Sequence, residues 1–261
     1  MPEGLSTLLL AVAGFVSGVV NVVAGGGSFL TLPVLIFLGL PAGEANATNR
    51  VAILTQNLGA VVSFQRHRVL EWRRAADMVV PALLGSAAGT WAALQVADRD
   101  FRRILSFLMV AVTLWTLWWD AQRRRAGADA APPRPSAAED KPPPRLGAWG
   151  VRAAFVVVGL YGGFVQAGVG FLVLAVTTLA GFDLVRGNAL KVLSVLALTV
   201  LSLALFAAAG RVRWAPGLVL GAGSLAGSVV GARLTVARGH AWIQGVVVAT
   251  VIVFALMLWV S

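Results

Sequence analysis

Apolar stretches recur along the chain at residues 5–23, 29–38, 45–64, 75–96, 104–119, 153–180, 185–209, 214–236 and 241–260. Most reach the ~20 residues that cross a bilayer core as helix, and no alternating strand pattern interrupts them. The pattern predicts an all-α polytopic membrane protein with roughly 8–10 membrane segments. Between the first two stretches lies Asn21-Val-Val-Ala-Gly-Gly-Gly-Ser28, where three consecutive glycines should break the helix.

Residues 127–147 are polar and proline-rich, with Pro132-Pro-Arg-Pro135 and Pro142-Pro-Pro144, and cannot bury apolar surface. They divide the chain into a first membrane unit at 1–125, a flexible linker at 126–147 and a second membrane unit at 148–261. The two units are related. A shift of 142 places Asn46-Ala47 on Asn188-Ala189, Phe64 on Phe206, Trp72 on Trp214, and Gly85-Ser-Ala-Ala-Gly89 on Gly227-Ser-Val-Val-Gly231. Upstream the shift becomes 143, and Ala24-Gly-Gly-Gly27 falls on Ala167-Gly-Val-Gly170. The chain therefore reads as a duplication whose halves each carry a glycine-broken helix, and such breaks in transporters meet at the repeat interface. Gly85 and Gly89 are explained by close helix packing alone, and packing is also the simpler account against which the triplet has to be weighed.

Polar residues inside the stretches follow the same symmetry. At 100° per residue Asn46, Asn49, Arg50, Gln56 and Asn57 share one face of the third segment, with Thr48 between them, and Asn188, Lys191, Thr199 and Ser202 share one face of its partner. Asn21 precedes the first break, Ser28 follows it, and Gln166 precedes the second. Intramembrane cations are expensive unless they face a partner or a cavity, and the acids Glu44, Asp77 and Asp183 all lie near segment ends. Snorkelling to the interface is the alternative for Arg50 and for Lys191, each about two turns from its helix start. A helix restarting after Gly27 or Gly170 aims unpaired N–H groups and a positive dipole end at what precedes it. Together with two cations and several amides, that describes a site for a small anion.

Composition narrows the remaining classes. The 261 residues are 58% hydrophobic and 12% charged, with a mean hydropathy of +0.83, which suits a bilayer and not a soluble domain. The formal charge of +10 comes from basic residues that flank the spans, as at Arg66, Arg68, Arg73, Arg74, Arg123-Arg-Arg125, Arg211, Arg213, Arg233 and Arg238, so it sets topology and meets anionic lipid instead of nucleic acid. The start, Met1-Pro-Glu-Gly4, lacks a basic region and a cleavage site follows nowhere, so the first stretch reads as a membrane segment. Cysteine is absent, and His67 and His240 sit at segment ends beside arginines, so neither a metal centre nor a cofactor is expected.

The motif Ala24-Gly-Gly-Gly-Ser-Phe-Leu-Thr-Leu-Pro33, with Leu38-Gly39 and Ala45-Asn-Ala-Thr-Asn-Arg-Val-Ala52 after it, resembles the TauE/SafE family of membrane permeases, proposed exporters of sulfite and organosulfonates. The likeness covers nearly the whole chain outside the linker. In the second half Gly168-Val-Gly170 lacks the middle glycine, and no proline matches Pro33. The resemblance implies a substrate such as sulfite, sulfoacetate or sulfolactate. It points to Gly25, Gly26, Gly27, Thr48, Asn49 and Arg50 in the first half, with Gly168, Gly170, Asn188 and Lys191 in the second.

The expectation is thus a secondary transporter of a small anion in the bacterial inner membrane, working by alternating access, with a proton as coupling ion and assembly into a homo-oligomer left open. A passive anion channel would use the same residues. A membrane-embedded enzyme would need a nucleophile with its base, a metal cluster or paired acids within the spans. If the first two segments return the chain to its starting side, three further spans carry each half across and the halves are inverted. Basic residues then concentrate on the side of the 66–74 loop, the linker and the 233–238 loop, making that side cytoplasmic and both termini external. Counting residues 5–38 as one broken span gives parallel repeats and the opposite side for the termini.

Overall fold

A computed structural model describes residues 3–24, 27–66, 72–125, 146–182 and 184–231. Gly25 and Gly26, the linker between residues 126 and 145, and the last apolar stretch lie outside the described residues. Every regular element among them is a helix: α1 (Glu3–Ala24), α2 (Ser28–Phe37), α3 (Ala42–Arg66), α4 (Trp72–Gln95), α5 (Asp98–Arg125), α6 (Ala148–Phe164), α7 (Val169–Leu179) and α8 (Leu184–Ala208). A further helix, α9, runs over Trp214–Gly231. Among the described residues four helical segments are long and apolar enough to cross a membrane, Glu3–Val22, Ala75–Gln95, Arg186–Ala208 and Trp214–Gly231. Helix α3 has the length, at 25 residues, but its polar face lowers its hydropathy. Leu8, Leu84, Phe107, Val157 and Leu218 are exposed on the outside, as a surface that faces acyl chains should be.

The order long, short, long, long occurs twice, in α1–α4 and in α6–α9. Helix α2 has 10 residues and α7 has 11. Both short helices end in the same way: Gly39 and Gly181 adopt left-handed φ values of 95° and 82°, and the N–H groups of Leu40 and Phe182 reach back to the carbonyls of Leu35 and Thr177. This closing turn requires glycine, since a Cβ is strained at such angles.

The chain reverses at each break. Leu146 N–H, just before α6, donates to the carbonyl of Leu179 at the end of α7 (3.3 Å), so α6 and α7 form an antiparallel hairpin. In the first half Gly27 lies against the backbone and hydroxyl of Ser17, well before the end of α1, with no room for a Cβ between them. The apolar stretch 153–180 is therefore two antiparallel helices and not one continuous span. The break itself falls at residues 165–168, slightly before the expected Gly168-Val-Gly170, with Gly168 at φ 71° as the N-cap of α7.

Two crossings lock the halves together. Gly85 and Gly89 of α4 sit directly on the carbonyls of Val156 and Leu160 of α6, while Gly159 and Gly163 of α6 sit on those of Ala82 and Ser86. The same reciprocal contact joins α1 to α9, with Gly14 and Gly18 against Leu220 and Ser224, and Gly223 and Gly227 against Ala11 and Phe15. Small residues spaced by four allow backbones to touch, which is how helices associate where lipid removes the hydrophobic drive. Packing fully accounts for Gly85 and Gly89. Between the two crossings, α3 and α8 pack side by side with their polar faces inward.

Candidate functional site

The C-terminal end of α6 shows where the polar face of α3 goes. The last four carbonyls of a helix lack intrahelical partners, and here they are all accounted for. Tyr161 O accepts from Val165 N–H (2.7 Å). Arg50 donates from Nη1 to Gly162 O (3.0 Å) and from Nη2 to Gly163 O (2.6 Å). Thr90 Oγ1 also donates to Gly163 O, and Asn46 Nδ2 donates to Phe164 O (2.9 Å).

Arg50 is completely buried. Its Nη1 further donates to Gln166 Oε1 (3.0 Å) and Ser202 Oγ (2.6 Å), and its guanidinium lies 4.8 Å from the Phe206 ring centre. A negative helix end, two side-chain oxygens and an aromatic face thus compensate its charge in place of a carboxylate. The arginine is not a snorkelling residue.

Lys191 presents a different situation. It is 2% exposed, and its Nζ has no hydrogen-bond partner. It lines a small cavity, with room for about one water-sized group, at the point where the tips of both hairpins meet. Asn21 at the end of α1 and Ser28 at the start of α2 come from one tip; Gln166, Val169 and Gly170 come from the other. Asn57 and Ile53 of α3 and Val195 of α8 complete the wall.

The duplication explains why Lys191 lacks a partner. A shift of 142 places it on Asn49, whose Oδ1 accepts from Thr31 Oγ1 (2.6 Å). The stretch of α7 that corresponds to Thr31 and its neighbours, Phe171-Leu-Val-Leu-Ala175, carries no polar side chain. One half holds a closed amide–hydroxyl pair where the other holds a lone ammonium. Taking an ion out of water costs several kcal/mol even after relaxation, so the second half leaves a strong demand for a counter-charge.

The structure therefore gathers six of the expected residues at the cavity: Asn21, Ser28, Asn57, Gln166, Gly170 and Lys191. Gly27 and Gly168 shape the tips. Arg50 and Asn46 are bound to the end of α6, and Asn49 to Thr31. Gln56 is buried with Oε1 unpartnered, away from the cavity lining. Asn188 is half-buried and outside that lining. Thr48 Oγ1 accepts from Arg213 N–H (3.0 Å), and the Arg213 side chain makes a two-pronged pair with Glu44 (2.6 and 3.2 Å). That exposed link ties α3 to the turn before α9 and raises the Arg213 pKa through the hydrogen bond to Glu44. Thr199 and Thr31, which organise the amides, gain their roles from contacts that neither helical period nor motif reveals.

Paired hairpin tips, a buried cation between them and an apolar helical exterior fit a multi-pass membrane protein of the transporter class. The model of the family described as Sulfite exporter TauE/SafE matches residues 10–258, and the chain belongs to that family. It is 29% identical over 252 residues to a "Probable membrane transporter protein" of Haemophilus influenzae, covering 95% of this chain and 92% of the relative. The "Probable membrane transporter protein YfcA" of Escherichia coli K12 is 30% identical over 254 residues, covering 94% and 87%. A "Probable membrane transporter protein ORF9" of Sinorhizobium sp is 27% identical over 251 residues, covering 95% and 90%. No solved structure matches the chain.

Proposed function

We propose that this protein is a secondary carrier that moves a small anion, sulfite or an organosulfonate, across the bacterial inner membrane by alternating access. The observation that carries the reading is the unpartnered, buried Nζ of Lys191 in a cavity shared by both hairpin tips. The starts of α2 and α7 lie at that cavity, and the first-turn N–H groups of a helix favour negative charge. An anion there would answer the ammonium and the two dipole ends together. The printed description of the family supplies the sulfur oxyanion as the class to test.

The α6–α7 reversal, and the close return of Gly27 to Ser17, support a chain that comes back to its starting side before α3. Three further spans then invert the halves, and the basic flanks put the linker in the cytoplasm and both termini outside. Reporters in the linker and at Ser261 test this. The linker reporter should be cytoplasmic and the Ser261 reporter external; finding both on one side refutes the inverted arrangement.

The substrate is tested in proteoliposomes with sulfite, sulfoacetate, sulfate, thiosulfate and a carboxylate of similar size. A carrier gives saturable uptake and counterflow, whereas a channel gives neither. Equal transport of the planar carboxylate would reject the sulfur assignment, and transport of a cation would reject the anion site.

A further inference from the structure

Gln166 lines the cavity, yet its amide is held from both ends by groups that allow it one orientation. Arg50 has no acceptor, so the atom receiving its Nη1 proton is the amide oxygen. At the other end Gln166 Nε2 meets Thr199 Oγ1. The Thr199 hydroxyl gives its own proton to the carbonyl of Val195 (2.6 Å), so toward Gln166 it can only accept. The amide nitrogen is thereby assigned to Thr199, and one N–H remains uncommitted. A cation on the oxygen side also polarises the amide and strengthens that donor.

We propose that Gln166 donates its remaining N–H to the bound anion and helps to select an oxyanion without a proton, and that Arg50 and Thr199 are positioning residues that fix the polarity of the amide. This rests on the cavity being the anion site. A flipped amide would present oxygen to the ligand, repelling a deprotonated anion and accommodating a protonated one. Arg50 thus acts on the ligand through Gln166, whereas the Lys191 ammonium faces it directly.

The test uses the full chain in proteoliposomes with radiolabelled sulfite, measuring half-saturation and maximal flux at matched protein density. Gln166→Leu should raise half-saturation roughly tenfold, the loss expected for one hydrogen bond to a charged group, with maximal flux less affected. Thr199→Val should raise it severalfold in the parent and change nothing further in the Gln166→Leu background, because the two residues act through one contact. Arg50→Lys, which keeps a donor-only cation beside Oε1, should retain more affinity than Arg50→Gln. The threonine variant keeps the test decisive if Arg50→Gln fails to insert.

Lys191→Gln separates the two levels of the argument. If it raises half-saturation while Gln166→Leu does not, the amide assignment is wrong and the cavity remains the site. If neither changes it, the site itself is wrong. Independent, additive effects of Thr199→Val and Gln166→Leu would also overturn the positioning role.

Discussion

Replacing Lys191 by methionine should move stability and affinity in opposite directions, a combination that few other roles for a buried lysine produce. The substitution keeps an unbranched side chain of similar length and removes the ammonium. In the ligand-free protein that ammonium has no partner, so its loss should raise the apparent stability by about 1–3 kcal/mol, the usual penalty for an unsatisfied buried polar group. The bound anion loses a charge-assisted contact worth about 1.5–3 kcal/mol, or roughly ten- to hundredfold in affinity. Thermal unfolding in detergent, with and without sulfite, reads both effects. At a ligand concentration one hundred times its dissociation constant the parent should gain about 2.7 kcal/mol, and the variant at that concentration much less. A parent indifferent to every sulfur oxyanion and to the carboxylate, or a variant that responds as strongly as the parent, would refute the reasoning.

Other parts of the structure make separate predictions. Gly85→Val and Gly159→Val place side chains where the facing backbone already is, and each should cost about 1–3 kcal/mol or prevent assembly, while Gly4→Ala, with open space around it, should be harmless in the same melting assay. Gly168→Ala forces a left-handed residue at the start of α7 and should cost about 1–2 kcal/mol, visible as a lower unfolding midpoint. Asp98 accepts from Gly43 N–H (2.9 Å) in the first turn of α3, so Asp98→Ala should cost about 1 kcal/mol in thermal stability and leave sulfite affinity unchanged. Arg213 is held above its ordinary value by Glu44, and a raised base loses its contribution only as pH climbs past its folded value. The difference in melting point between the parent and Glu44→Gln should therefore stay constant from neutral to alkaline pH; a difference that vanishes there would contradict the pairing.

Helical periodicity made the inner faces of α3 and α8 legible, because charged and amide side chains at 100° spacing have few roles within apolar spans. It could not distinguish Arg50 from Lys191. Both are cations at nearly equivalent positions of a duplication, and what separates them is the company they keep. Arg50 is bound to carbonyls at the end of α6, and backbone groups have no identity in a sequence. Hydropathy alone did not show the α6–α7 reversal, because it records how apolar a stretch is and not the direction in which it runs, so residues 153–180 read as one stretch; the return of the chain to its starting side was expected from the segment count. The apolar stretch begins only at residue 153 because Trp149 and Arg152 resemble a flank, yet α6 starts at Ala148, where the second membrane unit was placed; Arg152 lies over the Trp149 ring (5.2 Å) and reaches Asp77 (3.3 Å) from within the helix. Repeat correspondence succeeded where hydropathy failed, locating the second break to within a few residues.

The glycine crossings limit how such a molecule can move. Where backbones touch with no side chain between them, a rotation of either helix drives a Cβ or a carbonyl into its neighbour, so α4 with α6, and α1 with α9, must travel as paired units. Each pair takes one helix from either half. The rigid bodies therefore do not coincide with the two duplicated halves, and the alternating-access motion proposed above, if it operates, has to run through the seam of α3 and α8 and the hairpin tips. Spin labels placed across α4 and α6 should report one fixed distance through a transport cycle, while a pair spanning α2 and α7 should report two.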